Sequence, residues 1–351
     1  MKTLFFYPNE SSFINVDQSI FRRFLHIRSY CLNQPKGKGH YLLALIGIIP
    51  RVLLSFRSRL TICWFADYHA FLMVLAAKIC AKKSVVMVGG FDAVHYPEFA
   101  YGVFHKPLRR FCATWALKNC DLIIANHSAL LSSNNTYYNP DGHPEGLFKL
   151  IPNLHTKAIV VENCITTKAP AYVPPIRTRQ ILCVGTTPRF EDFYNKGYDL
   201  MLDAALAFPD WQFVFIGLDP RWLDAVKDKY HTPQMPNLTI HHSLPHSRVL
   251  QIMSETDIYV QASISEGMPN ALMEAMLYGC KPIGSNVAGI PTIIDNQGII
   301  LNRRDPQKLI EALKRCMETD ADRQAISQSI STRFSLEKRT SKLHNAICEL
   351  T

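Results

Sequence analysis

The sequence has few of the features that mark secreted, metal-binding or membrane-spanning proteins. Its ten cysteines are scattered, with no C-x-x-C pair and no metal-ligand spacing, which indicates reduced thiols in a cytosolic protein. The apolar stretch Tyr41–Pro50 is about half of the roughly 20 residues that span a bilayer. Met1–Pro8 contains only a short apolar run, so we expect a first β-strand there and not a signal peptide.

Acidic residues are scarce in one half of the chain only. Residues 1–170 carry 19 Lys and Arg against 9 Asp and Glu, whereas residues 171–351 carry 19 against 20, so the net charge of +9 arises in the first half. The chain has no RNP, zinc-finger or helix-turn-helix signature, and we therefore expect no nucleic-acid partner. An anionic membrane surface or a phosphorylated acceptor fits the charge better.

Predicted strands and helices alternate in both halves of the chain. Apolar runs of strand length, such as Thr61–Phe65 and Ser84–Val88, each precede or follow a helix-forming segment. This order predicts two parallel, doubly wound sheets joined by a proline-containing linker at Lys168–Arg177. Ligands of such sheets bind beyond the carboxyl ends of the strands. Five polar residues follow predicted strands of the first half and are site candidates: Asp67, His69, Asp92, His95 and Asn126.

Several segments allow more specific predictions. We predict a helix over Phe13–Leu32, a loop over Ser132–Gly146 and a final helix over 335–349. The apolar region 41–56 predicts a core helix of the first domain, or a helix that also lies on a membrane with Arg51, Arg57 and Arg59 facing the headgroups. Asp320-Ala-Asp322 has a metal-like D-x-D pattern, but it stands far from any strand end and we predict a helix cap.

The stretch Ser265–Met276, S-E-G-M-P-N-A-L-M-E-A-M, is the most informative part of the sequence. Pro269 suits the first position of a helix, and the residues after it favour helix. Glu266 is therefore expected in the loop before that helix and Glu274 in its second turn. Because the amino-terminal end of a helix attracts anions, the stretch predicts a site for a phosphate and for sugar hydroxyls.

This stretch and its surroundings resemble the family 4 glycosyltransferases of the GT-B fold. The resemblance includes Lys196-Gly197 upstream and covers most of residues 180–315. It implies an α/β protein with two Rossmann-like domains whose parallel, doubly wound sheets face each other across a cleft. The implied acceptor domain is 1–172, with the helix 335–351 packing back on it, and the implied nucleotide-sugar domain is 173–334.

The resemblance also implies roles for residues of the second half. Lys196 matches the family lysine at the donor diphosphate, and Arg189 stands three residues beyond the position of the family arginine, which is Thr186 here. Glu274 matches the residue that binds the donor ribose, and Glu266 the one that contacts the reacting sugar. The remaining positions expected in the donor site are Gly185, Thr186, Gly217, Gly267, Met268, Asn270 and Ala271.

The first half departs from the family pattern. Gly90 stands where the family has a histidine, and we expect Asp92 to serve as a catalytic group in its place. The acceptor-side candidates are His95, Asp67, His69 and Asn126. A structural role is equally open for Asp92 and His95.

The expected activity is hexose transfer from a UDP- or GDP-linked donor to a lipid-linked or surface-polysaccharide glycan, as in lipopolysaccharide biosynthesis. The resemblance implies retention of the anomeric configuration, and we expect no metal and no other cofactor. We expect a peripheral protein on the cytoplasmic face of the membrane. Two alternatives stay open: a nucleotide-sugar epimerase of the same fold, which the basic first half disfavours, and a catalytically silent scaffold, which Glu266, Lys196 and Glu274 disfavour.

Overall fold

A computed structural model describes residues 1–33, 37–174, 178–230 and 235–350. The chain divides into two units. Unit 1 comprises Met1–Ser133, Pro144–Thr166 and Leu336–Thr351, and unit 2 comprises Asn134–His143 and Thr167–Ser335. Residues 175–177 of the expected linker lie outside the described residues.

Unit 1 is built on a six-stranded parallel sheet in the order β2-β1-β3-β4-β5-β8. Its strands are β1 (Lys2–Tyr7), β2 (His26–Cys31), β3 (Ser58–Trp64), β4 (Lys83–Val88), β5 (Leu122–Ala125) and β8 (Ala158–Val160). Its helices are α1 (Ser12–Phe21), α2 (Lys38–Ile46), α3 (Ile48–Leu53), α4 (Tyr68–Ile79), α5 (Pro107–Asn119), α6 (Leu147–Leu150) and α15 (Leu336–Cys348). Between β5 and β8 in the sequence, β6 (Ser133–Asn135) and β7 (His143–Glu145) pair with each other in a separate two-stranded sheet.

The sheet of unit 1 is covered on both faces. Val86 and Val88 of β4 pack into one apolar cluster, and the alternate residues Val85 and Met87 pack into another. A strand of a parallel sheet buries both faces in this way, which explains why the central strands are continuous apolar runs in the sequence.

Unit 2 contains a second six-stranded parallel sheet in the order β11-β10-β9-β12-β13-β14. Its strands are β9 (Gln180–Val184), β10 (Gln212–Ile216), β11 (Leu238–His241), β12 (Ile258–Gln261), β13 (Lys281–Ser285) and β14 (Ile299–Leu301). Its helices are α7 (Phe190–Asn195), α8 (Tyr198–Ala207), α9 (Pro220–Tyr230), α10 (His246–Glu255), α11 (Asn270–Leu277), α12 (Ile290–Ile294), α13 (Pro306–Glu318) and α14 (Arg323–Arg333). The predicted α/β class with two parallel sheets is confirmed.

Two secondary-structure predictions are wrong. The helix predicted over Phe13–Leu32 ends at Phe21, and His26–Cys31 forms the edge strand β2, which pairs only with β1. Strand β2 lies at the edge of the sheet and is partly exposed, so it contains polar residues. It therefore lacks the continuous apolar run by which the central strands were predicted. The loop predicted over Ser132–Gly146 contains the short paired strands β6 and β7.

Other predictions of local structure are confirmed. Asp322 caps α14, since its side chain accepts a hydrogen bond from the Ala325 N–H. The final helix is α15, and the region predicted as a core helix forms α2 and α3, which bury Leu45, Ile48 and Val52. Within the described residues, none of the helices combines the length and the apolar character needed to cross a bilayer.

Helix α15 is held in unit 1 by a buried ion pair. Arg339 Nε donates to Asp17 Oδ1 at 2.7 Å, and neither side chain is more than 3% exposed. Arg339 also donates to the carbonyl oxygens of Val161 and Glu162, and the Trp64 indole donates to Asp17 at 3.0 Å. Every charged atom of the pair therefore has a partner, as the burial of two charges requires.

Replacing Arg339 by Met should destabilise unit 1 by about 3–5 kcal/mol, because the buried Asp17 carboxylate would lose its charge partner. Urea unfolding followed by circular dichroism measures the loss. The matched control is Lys342→Met in the same helix, where the ion pair with Glu162 is half exposed and removal should change stability by less than about 1 kcal/mol. Equal effects of the two substitutions would contradict this account.

Candidate active site

The loop between β12 and α11 in unit 2 carries the first glutamate of the central motif. Strand β12 ends at Gln261 and α11 begins at Asn270. Pro269 is the N-cap residue, so the helix begins one residue later than predicted. Glu266 lies in the loop and Glu274 in the second turn of the helix, as expected. The carboxyl ends of β12 and β9 are neighbours in the sheet, so this loop lies beside the one that follows β9.

Three donors converge on one oxygen of Glu266. Lys196 Nζ donates to Glu266 Oε1 at 2.6 Å, Ser263 Oγ donates at 2.9 Å, and Gln261 Nε2 donates at 3.2 Å. The Glu266 side chain is 14% exposed and that of Lys196 is 21% exposed. No described residue donates to Oε2, so this oxygen is available to accept a hydrogen bond from a ligand hydroxyl.

The end of helix α7 places Lys196 beside this loop. Asn195 accepts two backbone hydrogen bonds from the loop, one from Ile264 N to its carbonyl oxygen (2.8 Å) and one from Ser265 N to Oδ1 (3.1 Å). Gly197 then takes a left-handed conformation with φ of 75°, in which a side chain would also meet the Ala262 carbonyl. The Lys196 side chain passes across Gly185, where an added Cβ would lie 3.2 Å from Lys196 Cγ.

Glu274 has a different set of partners. Its Oε1 lies 2.8 Å from His246 Nε2 and accepts a weak hydrogen bond from Thr167 Oγ1 at 3.4 Å. Burial raises the pKa of Glu274, and the neighbouring imidazole of His246 opposes that rise. The structure thus joins Glu266 to Lys196 and Glu274 to His246, and it shows no direct contact between the two glutamates among the described residues.

The other donor-side candidates lie on the loops after β9 and β10. The guanidinium of Arg189 pairs with Asp192 at 2.9 Å at the start of α7. Gly217 has φ of 95°, and a Cβ there would lie 2.6 Å from the Gly185 carbonyl oxygen. Thr186 follows Gly185 in this narrow gap. The donor-binding roles of Arg189, Gly185, Thr186 and Gly217 stay predictions.

Gly267 and Met268 lie in the loop before α11, and Asn270 and Ala271 are the first two residues of the helix. Gly289 approaches this point closely: its N–H donates to the Gly267 carbonyl at 2.9 Å, and an added Cβ would lie 2.7 Å from the same oxygen. The backbone ahead of the helix is therefore fixed from a second loop. A ligand role for these four residues stays a prediction.

Asp92 in unit 1 is buried and accepts three backbone hydrogen bonds. The donors are the N–H groups of Ala66 (2.9 Å), Gly89 (3.0 Å) and Gly90 (3.1 Å). Burial raises the pKa of Asp92 to about 6, although these three donors favour the anion. The side chain thus joins the loops that follow β3 and β4. This contact accounts for a structural role, and a catalytic one stays a prediction.

The acceptor-side candidates have separate partners within unit 1. Asn126 Nδ2 donates weakly to the Gly89 carbonyl at 3.4 Å, so it shares one loop with Asp92. Asp67 caps α4 and forms an ion pair with Arg109. His69 is buried, with Nε2 2.7 Å from the Trp64 carbonyl, and His95 Nε2 lies 3.5 Å from the Arg110 guanidinium. The structure therefore brings Asp92 and Asn126 to one loop and gives the other three different surroundings.

Five contributors to the site were missed in the sequence: Asn195, Gln261, Ser263, His246 and Thr167. Asn195 adjoins the recognised Lys196-Gly197 and could have been found as the end of a helix, whereas Ser263 and His246 carry no local signal. Across the described ranges, His, Cys, Asp and Glu form no group of three or more that could hold a metal ion.

Comparison with known proteins identifies the segment that carries this site. Residues 178–319 match the family model for group 1 glycosyl transferases. The match covers less than half of the chain, and this segment is similar to group 1 glycosyl transferases. It contains Lys196, Glu266 and Glu274, and the resemblance found from the motifs is confirmed.

Curated proteins that are similar in sequence match only part of this chain. A phosphatidylinositol N-acetylglucosaminyltransferase component from Arabidopsis thaliana is 24% identical over 169 residues, which cover 46% of this chain and 36% of the relative. The gpi3 component of the same transferase from Schizosaccharomyces pombe is 24% identical over 44% of this chain and 37% of its own length. The chain thus spans little more than a third of these relatives.

Solved structures align over the whole chain. HepE of Anabaena, in complex with UDP and glucose, has a TM-score of 0.72 at 14% identity and covers 99% of both chains. Sucrose-phosphate synthase of Thermosynechococcus elongatus has a TM-score of 0.73 at 12% identity, with 100% of this chain and 99% of the other covered. These similarities over nearly the full length of the chain show that it has the GT-B fold that the motifs implied.

Replacing the two motif glutamates should separate nucleotide binding from turnover. Glu274→Gln should weaken binding of the nucleoside diphosphate by on the order of 1.5–3 kcal/mol, because an amide is a poorer acceptor for ribose hydroxyls than a carboxylate. Glu266→Ala should lower kcat more than nucleotide affinity, because the resemblance places Glu266 at the reacting sugar and not at the nucleotide. Titration calorimetry and initial rates measure the two effects, with the exposed Glu311→Gln on α13 as control. Equal losses of nucleotide affinity in both variants would contradict the assignment.

Proposed function

We propose that the protein is a retaining, metal-independent glycosyltransferase that extends a lipid-linked or surface glycan at the cytoplasmic face of the membrane. The observation that carries the proposal is the Lys196–Glu266 pair, held at the carboxyl edge of a parallel sheet inside the segment that is similar to group 1 glycosyl transferases. The donor is a nucleotide sugar, UDP- or GDP-linked. HepE, which shares the fold, was solved with UDP and glucose, and this supports a nucleotide-sugar donor.

The charges in unit 2 suit departure of a diphosphate. When the bond between sugar and diphosphate breaks, negative charge grows on the leaving oxygen and requires a positive field that is already in place. Lys196 supplies a fixed ammonium, because its partner and the Gly185 contact hold its side chain. The amino-terminal end of α11 adds the positive end of a helix dipole. These two sources together take the place of a metal ion in this proposal.

Glu266 is assigned to binding sugar hydroxyls. Its Oε1 is occupied by three donors, which fixes the orientation of the carboxylate, and its Oε2 accepts from a sugar hydroxyl. A carboxylate whose charge is paired with Lys196 is a weak nucleophile, so a double displacement through Glu266 is disfavoured. We therefore assign attack on the same face as the departing diphosphate, with the phosphate itself taking the proton of the acceptor. Glu274, beside His246, is assigned to the ribose hydroxyls.

The assignment of a membrane-bound acceptor rests on the surface of unit 1 and on the relatives. The names of the Arabidopsis and fission-yeast relatives include phosphatidylinositol, which is a lipid. Unit 1 exposes large apolar side chains along α2 and in the turn after α3: Leu42, Leu43, Ile46, Leu54 and Phe56. We call these five residues the apolar strip. Exposed arginines adjoin the strip at Arg51, Arg57 and Arg59, and basic residues beside exposed apolar side chains favour an anionic bilayer surface.

Transfer should proceed in the presence of a chelator and should retain the anomeric configuration. Purified protein is incubated with UDP- and GDP-sugars and a lipid-linked acceptor, with EDTA, magnesium or manganese, and the first product is examined by NMR. The donor's anomeric configuration should be found under all three conditions, because Lys196 and α11 supply the positive field. Dependence on a divalent metal would overturn the metal-independent assignment, and an inverted product would overturn retention. Epimerised donor in the absence of acceptor would favour the epimerase, and failure to bind any donor would favour the scaffold.

Vesicle binding should depend on charge and should weaken as salt rises. At low salt, the wild-type protein should sediment together with vesicles of mixed phosphatidylcholine and phosphatidylglycerol. Changing Arg22, Arg23, Arg51 and Arg57 together to Ser should release it, because each basic side chain near the surface contributes about 1 kcal/mol. If the wild-type protein does not bind these vesicles at low salt, the membrane assignment is wrong and a soluble acceptor is the better assignment.

A further inference from the structure

We propose that a cavity at the amino-terminal edge of the unit 1 sheet binds the phosphate headgroup of an anionic lipid. This inference rests on the membrane part of the proposed function and assigns a specific site to it. The cavity has a volume of about 710 Å³ and opens where β1, β2 and β3 begin. It lies at the edge opposite to the loops that carry Asp67, Asp92 and Asn126, so it is separate from the acceptor-side candidates.

The charge lining this cavity has one sign. Four of its lining residues are Lys2, Arg22, Arg28 and Arg57, a fifth is His26, and the lining contains no aspartate or glutamate among the described residues. All four cationic residues are exposed. Within the described parts of the chain, none of the four forms an ion pair with a carboxylate. Such a cluster is complementary to a phosphate, whose oxygens accept several charge-assisted hydrogen bonds at once.

The orientation of Arg28 is partly fixed by its neighbours. Its guanidinium lies 5.4 Å from the centre of the Tyr30 ring, and the Arg51 guanidinium lies 5.2 Å from the same centre. A second cavity of about 570 Å³ runs beside the first and shares Arg28, Leu54 and Ser55 with it. The basic surface therefore continues from the first cavity towards α3, and Tyr30 holds two of its cations.

Exposed apolar side chains at the rim favour a lipid over a soluble phosphate compound. Leu54 and Phe56 line the cavity and are 70% and 86% exposed. Exposed leucine and phenylalanine side chains do not contribute to binding a free phosphate. Beside a bound lipid headgroup, they would contact the acyl chains. The same side chains argue against nucleic acid, because they do not form a polar groove along a backbone.

The path of the chain connects the apolar strip to the cavity that holds the proposed headgroup site. The connection from β2 through α2 and α3 to β3 leaves the carboxyl edge of a parallel sheet and returns to its amino edge. The apolar strip begins on α2 and ends with Leu54 and Phe56, which line the cavity, so a membrane that covers the strip would also supply the headgroup.

The test compares two pairs of basic residues in vesicle binding. Arg28→Ser with Arg57→Ser removes two charges that line the cavity, and Lys106→Ser with Lys118→Ser removes two exposed charges elsewhere on unit 1. All four positions are exposed, so both variants should fold, which circular dichroism checks. The cavity variant should lose affinity for phosphatidylglycerol vesicles about 25-fold, at roughly fivefold per charge, and the control no more than a few-fold. Arg28→Lys with Arg57→Lys, which keeps the charge, should restore most of the affinity.

Each other result overturns a specific part of the inference. Equal losses in the cavity and control variants would show a diffuse basic surface and no headgroup site. Binding of inorganic phosphate or glycerol phosphate without binding of vesicles would replace the lipid by a soluble phosphate compound. Nucleotide-sugar binding, measured by thermal shift on the same variants, should be unchanged. If it is unchanged while vesicle binding is lost or absent, the sugar-transfer assignment stands whatever becomes of the headgroup site.

Discussion

The Lys196–Glu266 ion pair is the interaction on which the rest of the unit 2 site depends. It joins two segments that are 70 residues apart in the sequence, and its atoms lie 2.6 Å apart. That distance requires the end of α7 and the loop after β12 to keep a fixed position relative to each other. The two hydrogen bonds that Asn195 accepts from the loop fix this position. It also requires a residue without a side chain at Gly185, since Lys196 passes across it. The pair therefore depends on the backbone around it, and a change in that backbone would move the Lys196 ammonium.

Much of the fold was predictable because its signals are local. Central strands of a parallel sheet are short apolar runs, and helix ends carry recognisable residues, as Asp322 and the Pro269-Asn270 step show. The failures have a common physical cause. Strand β2 is stabilised by pairing with β1, and β6 by pairing with β7, and neither contact leaves an apolar pattern in the sequence. Such elements owe their structure to a distant partner, which a local pattern does not describe.

The site shows the same division. Glu266, Glu274 and Lys196 were identified because a motif places them in known local settings at the start or end of a helix. The partners Ser263 and His246 were missed, since their roles depend on distances created by the fold. Asp92 illustrates a different limit. A carboxylate after a strand predicts either a reacting group or an anchor for free amides, and only the three backbone donors around it support the second.

The cations of the two units differ in their partners, and this difference has a physical consequence. In unit 2, Lys196, Arg189 and Arg304 are each paired with a carboxylate, so their charges are oriented before any ligand arrives. In the basic cavity of unit 1, four cations share a wall whose described residues include no acid. Like charges held close together destabilise the folded state by mutual repulsion, and a bound anion removes that repulsion as well as forming its own contacts. An anion bound at this cavity would therefore also stabilise unit 1, whereas a ligand at the Lys196–Glu266 site would meet charges whose positions are already fixed.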